Sequence, residues 1–137
     1  MAKTVAEKLI IKPGAAIWAS DPSRLGLIGP LPDGVRTVDA LDQATAGILF
    51  ADDAATIRKV LEARKAVLAA PDVLWVLYPK AGRTDINRDT LWPIVAGYGL
   101  RPITQVAVDD TWSALRFRPL KEGEAPFAGG RAPSTGA

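Results

Sequence analysis

The segment VLWVLYPKAGRTD, residues 73–85, carries an apolar stretch straight into Lys80, Gly82 and Arg83. Two cations flanking a glycine are residue types that can clamp a phosphate or a carboxylate. The side chains bring charge, and glycine lets the backbone approach and turn. In an open parallel sheet such a site belongs beyond the carboxyl ends of the strands. A second apolar run, AGILFAD (46–52), leads into the carboxylates Asp52 and Asp53. If the two runs lie side by side, these acids either join the cations in one site or neutralise them as ion pairs.

Two further groups carry charge where chemistry is possible. Arg88, in Asn87-Arg88-Asp89, stands beside a helix start, where anions and not cations are favoured. It therefore calls for Asp85, Asp89 or an external anion as partner. Asp109 and Asp110 precede Trp112 and Arg116 in VDDTWSALRFRP. On a strand, Trp112 and Arg116 share a face, so the guanidinium can stack on the indole or meet a carboxylate. Adjacent acids in a turn, and a tryptophan in a core, are equally ordinary outcomes. Asp21, Asp52 and Asp53 could meet around Mg²⁺, but each also reads as a cap or turn residue, so no metal is expected.

Composition narrows the chemistry. The 137 residues contain no cysteine and no histidine, which removes thiolate nucleophiles, disulfides and the commonest general base. Any acid–base work falls to Asp, Glu, Lys or Tyr. The net charge of +2 argues against a nucleic-acid partner. No run approaches the ~18 apolar residues of a membrane span, and the N-terminus lacks a signal-peptide core, so a cytoplasmic protein with no membrane partner is expected. Oligomeric state leaves no mark on the sequence.

The elements that must position these groups follow from periodicity. Residues 3–10 form a short helix, and AAIWAS (15–20) a buried strand. The proline- and glycine-rich stretch 22–34 is irregular, VRTVD (35–39) is a short strand, and 46–52 is a buried strand. Residues 54–69 form an amphipathic helix capped by Asp52 or Asp53, and 72–78 a third buried strand. A helix over 90–98 takes Asp89 as its cap, which keeps Pro93 in the first turn. Residues 101–110 and 111–119 form an antiparallel hairpin. Continuous apolar strands alternating with helices give an α/β fold. It is a single Rossmann-like domain over 1–120, mostly parallel, with a C-terminal antiparallel hairpin and a disordered tail over 121–137. The element order resembles a truncated class I methyltransferase fold.

"YPKAGR", "NRDTLW" and "VDDTWSALRFRP" together resemble a small bacterial family of single α/β domains of unknown function. That resemblance implies a fold and no activity. Neither G-x-G-x-x-G nor G-x-x-x-x-G-K-[ST] occurs, and Ser20-Asp21-Pro22 stands after the first strand where a methyltransferase usually has a glycine-rich loop. No cofactor is therefore expected, S-adenosylmethionine included. The expected function is a non-catalytic binding or interaction module, taking a small anionic ligand or a protein partner near Lys80, Arg83 and Arg88. The alternative is a small transferase or hydrolase in which an Asp serves as base and Lys80 stabilises developing negative charge.

Overall fold

The computed structural model describes residues 4–80, 84–121 and 123–124. Its elements are α1 (Val5–Lys8), β1 (Ala16–Ala19), β2 (Arg36–Thr37), β3 (Ala46–Phe50), α2 (Ala54–Ala63), β4 (Val73–Pro79), α3 (Arg88–Ala96), β5 (Leu100–Ala107) and β6 (Trp112–Pro119). One six-stranded sheet runs in the order β2-β1-β3-β4-β6-β5. β1, β2, β3 and β4 are parallel, and β6 pairs antiparallel with β4 and with β5. The α/β architecture with a terminal hairpin is as the sequence predicts. From β1 the chain steps outward to β2, then crosses back to β3 on the other side of β1, so the strand order reverses between β1 and β3.

Every residue of β1, β3 and β4 is buried, because the sheet is covered on both faces. On one face Leu49, Leu74, Val76, Leu115 and Phe117 meet Ile57 and Leu61 of α2 and Leu91 and Val95 of α3. On the other, Ile17, Ile48, Phe50, Trp75 and Ala114 meet Ala6 and Leu9 of the N-terminal segment and Ile28 of a 3-10 turn at Pro22–Ile28. α1 is only four residues long, shorter than the expected 3–10 helix. Thr4 and Glu7 form a capping box at its start, and Ile10 leaves the helix at a φ of 62°. The orphaned carbonyl of Leu9 accepts a 2.8 Å hydrogen bond from Trp75 Nε1.

Two helix boundaries differ from expectation. α2 stops at Ala63, and a 3-10 turn at Lys65–Val67 brings Leu68 back to the sheet, where it is buried. α3 begins at Arg88 with Asn87, not Asp89, as its cap, and Pro93 lies inside it. Asn87 Oδ1 accepts from the Asp89 and Thr90 amides while Thr90 Oγ1 accepts from the Asn87 amide. Two reciprocal bonds at the start outweigh the single backbone donor that Pro93 lacks. The structure also runs past the expected boundary at 120: Glu124 folds back onto β5 and β6 through Arg101 and Arg118. Residues 125–137 of the expected tail lie outside the described residues. No helix of the described residues is long and apolar enough to cross a membrane.

Trp75 is fully buried and ties α1 to the sheet. Trp75→Ala is expected to cost about 3–5 kcal/mol in denaturant titration. Trp75→Phe, which keeps most of the volume but strands the Leu9 carbonyl, is expected to cost about 1–3 kcal/mol. An alanine variant as stable as the parent contradicts this packing.

Candidate functional site

In open α/β sheets the ligand crevice lies outside the carboxyl ends of the strands, where strand order reverses. Here that place is between the ends of β1 and β3. β1 gives way to Ser20 and Asp21, and β3 to Ala51, Asp52 and Asp53. Asp21 and Asp52 converge there, held together by Arg24 from the 3-10 turn that follows β1. Arg24 Nε donates to Asp21 Oδ2 at 2.9 Å, and its two terminal nitrogens donate to the two Asp52 oxygens at 2.5 and 2.6 Å. The same guanidinium lies over the rings of Phe50, at 5.2 Å, and Trp112, at 5.5 Å. Those rings meet edge to face. Ser23 donates a 2.6 Å bond to Asp21, and this bond, followed by Arg24, holds the Asp21 carboxyl below its ordinary value. Hydrogen bonds from the guanidinium to Asp52 push Arg24 up. The crevice is thus a box of two carboxylates and two aromatic faces, filled by a cation of the protein itself.

Of the residues singled out from sequence, Asp52, Asp53, Lys80, Asp110 and Trp112 stand at this end of the sheet. Asp52 pairs with Arg24, not with Lys80. Asp53 caps α2 by accepting from the Thr56 amide at 2.8 Å, which lowers its pKa. Asp85 accepts from the Ala54 amide, closing the same helix end. The Lys80 amide donates to the Thr111 carbonyl at 2.7 Å, which joins β4 to the hairpin turn. Asp109 accepts from the Thr111 and Trp112 amides as a turn residue, and Asp110 is exposed. Arg83 lies outside the described residues. Among the described residues no group of three potential ligands stands where it could hold a metal ion.

Two predicted residues lie elsewhere. Arg88 makes a 3.4 Å contact with Asp89 and, with Trp92, Pro102, Gln105 and Leu115, lines a cavity of about 280 Å³ beside the hairpin. Gln105 in that wall donates to Tyr78 Oη and Ser113 Oγ. Arg116 sits opposite Trp75, well below the carboxyl end, on the sheet face that also carries Trp112. Close to it, Glu124 takes bonds from Arg118 at 2.7 and 2.9 Å, from the Lys121 amide at 2.8 Å and from Arg101 at 2.6 Å. Arg118 first, then the Lys121 amide and Arg101, hold the Glu124 carboxyl far below the ordinary glutamate range.

Sequence reasoning missed Arg24, because it sits in an irregular proline- and glycine-rich stretch with no periodicity to orient it. The available signal was its position directly after the Asp21-Pro22 turn that ends β1.

Arg24→Ala is expected to lower stability by about 1 kcal/mol, leaving two like charges at one strand end, while Lys80→Ala stays within about 0.5 kcal/mol of the parent. Equal losses in both variants, read from denaturant midpoints, contradict the assignment of Asp52 to Arg24. Glu124 gives a pH test. Its pKa is lower in the folded chain than the ordinary 4.5, so its contribution is fully present above that value and fades as pH falls below it. The parent should therefore melt above Glu124→Gln at pH 7, and the two curves should converge in acid; a gap that does not change with pH excludes the carboxylate as its source.

No protein-family model matches the sequence, and no curated protein sequence matches it. Solved structures do. The m1A22 tRNA methyltransferase TrmK of B. subtilis superposes with a TM-score of 0.52 at 17% identity, over 91% of this chain and 71% of that one. Streptococcus pneumoniae Sp1610 in complex with S-adenosyl-L-methionine gives 0.53 at 15% identity, over 93% and 76%. A protein of the NADB-Rossmann superfamily from Streptococcus agalactiae gives 0.56 at 11% identity, over 93% and 71%. At these identities the likeness is one of fold, and the fold is the methyltransferase-like one that the element order suggested. It corrects the expectation of a non-catalytic binding module: nearly the whole chain shares its architecture with an enzyme and with a protein that holds a cofactor. The transferase alternative agrees with this better.

Proposed function

We propose that the chain is a transferase domain of methyltransferase type that binds S-adenosylmethionine across the β1–β3 crevice. The observation that supports this reading is the chemistry of the crevice: Asp21, Asp52 and the rings of Phe50 and Trp112 already surround a cation. S-adenosylmethionine carries an ammonium and a sulfonium, and carboxylates and aromatic faces are the groups that hold such cations. Asp39, exposed just beyond the carboxyl end of β2, stands where an acidic residue can take the hydroxyls of a ribose. The donor set therefore fits the group in charge. The missing glycine-rich turn and the presence of Arg24 mean that the guanidinium must withdraw before a ligand enters.

When bound, the cofactor would supply an electrophilic methyl group. The chain's own part is to hold it and to manage the acceptor's proton. Freed from Arg24, Asp52 becomes an available carboxylate at the end of β3, able to accept the proton that an amine or hydroxyl acceptor sheds.

Titration calorimetry with S-adenosylmethionine tests the reading. Saturable binding by the parent is expected, weakened about tenfold or more in Asp21→Asn and Asp52→Asn, the worth of one charge-assisted contact. Arg24→Ala is expected to bind at least as tightly as the parent. No heat of binding from either the parent or Arg24→Ala at millimolar cofactor overturns it.

A further inference from the structure

A like-charge pair stands across the terminal hairpin. Arg101 of β5 and Arg118 of β6 are directly opposed, and Arg116 lies two residues from Arg118 on the same face. Like charges placed opposite each other weaken a sheet. The carboxylate that the described residues bring to them is Glu124, which bonds Arg101 and Arg118. Arg116 has no acceptor among the described residues, and its Nε is buried with no hydrogen-bond partner. Buried polar atoms are nearly always paired, and among the described residues no acceptor meets this nitrogen beside two like charges.

We propose that Arg101, Arg116 and Arg118 form a binding face for the phosphodiester backbone of a nucleic-acid strand, and that Glu124 is an internal carboxylate occupying the position of one phosphate. The cradle around Glu124 has the form that recognises a phosphate oxygen: a guanidinium offering two parallel N–H groups, a second guanidinium and a backbone amide. The three guanidinia are spread over two residue steps of a strand, about 7 Å, and one strand spacing, about 5 Å. That spread exceeds what one phosphate can satisfy and suits successive phosphates of a chain. A small net charge does not oppose this, because the cations are gathered on one face of the hairpin. The face is independent of the β1–β3 crevice and of any cofactor in it.

Fluorescence anisotropy of a labelled single-stranded RNA of mixed sequence, at low salt and without cofactor, tests the proposal. The parent should bind. Arg116→Gln should weaken binding about tenfold, the worth of one charge-assisted bond, and lower the salt slope by about 0.7. Arg116 has no acceptor among the described residues, and the variant's melting curve, recorded alongside, separates lost binding from lost folding. Glu124→Gln should bind more tightly than the parent, since it takes the paired carboxylate away from Arg118. RNA affinity unchanged in Arg116→Gln, or not raised in Glu124→Gln, overturns the proposal. So does stabilisation by inorganic phosphate with no binding of RNA, which would mark a single-anion site. Because no cofactor is present, failure here is separate from failure of the transferase reading.

Discussion

The two-sided burial of β3 and β4 is the constraint on which the rest of the molecule depends. Every residue of both strands is buried, so neither can tolerate a charge along its length. That requirement calls for helices or turns on both faces. It also recruits the Trp75 indole to satisfy the Leu9 carbonyl at the end of α1. And it keeps ionic groups off the strands themselves, leaving them to the strand ends, the more open hairpin and the outer side of the helices, as in the Glu62–Lys65 pair. The charges of this protein collect where they do because the sheet excludes them elsewhere.

At the carboxyl ends the outcome is a closed ion pair. Arg24 uses three nitrogens on two carboxylates and its flat faces on two rings, an arrangement that satisfies a planar cation from its edge and its face together. The groups around it form a cation site whoever its occupant is. The same logic, with signs reversed, holds at the other end of the hairpin, where Glu124 sits in a cradle of donors. In both places a side chain of the protein occupies a position whose surroundings suit a ligand of the same charge.

What the sequence determined by itself was the set of elements that local physics controls. Unbroken apolar runs read as strands buried on both faces, the 3.6-residue stripe of 54–69 as a helix on the sheet, which forms over 54–63, Asp52 or Asp53 as its cap, of which Asp53 serves, and the short Val-Asp-Asp-Thr connection as a hairpin. Trp75 was legible as core because it sits mid-run between aliphatic residues. Each of these rests on neighbours within a few positions. The start of α3 differs from the sequence expectation although its signal is local: the reciprocal Asn87–Thr90 box starts the helix at Arg88 despite the Pro93 inside it.

Only the tertiary structure decided which charges meet. Asp52 takes Arg24, 28 positions away, and not Lys80, because β3 lies beside β1 and the turn after β1 folds over the end of both. Arg116 leaves the carboxyl-end group because antiparallel pairing with β4 runs β6 away from that end, setting it opposite Trp75. Glu124 finds Arg101 and Arg118 because the hairpin register opposes those two residues. Long side chains reach partners set by strand order and register, and neither is written in the spacing of a single chain.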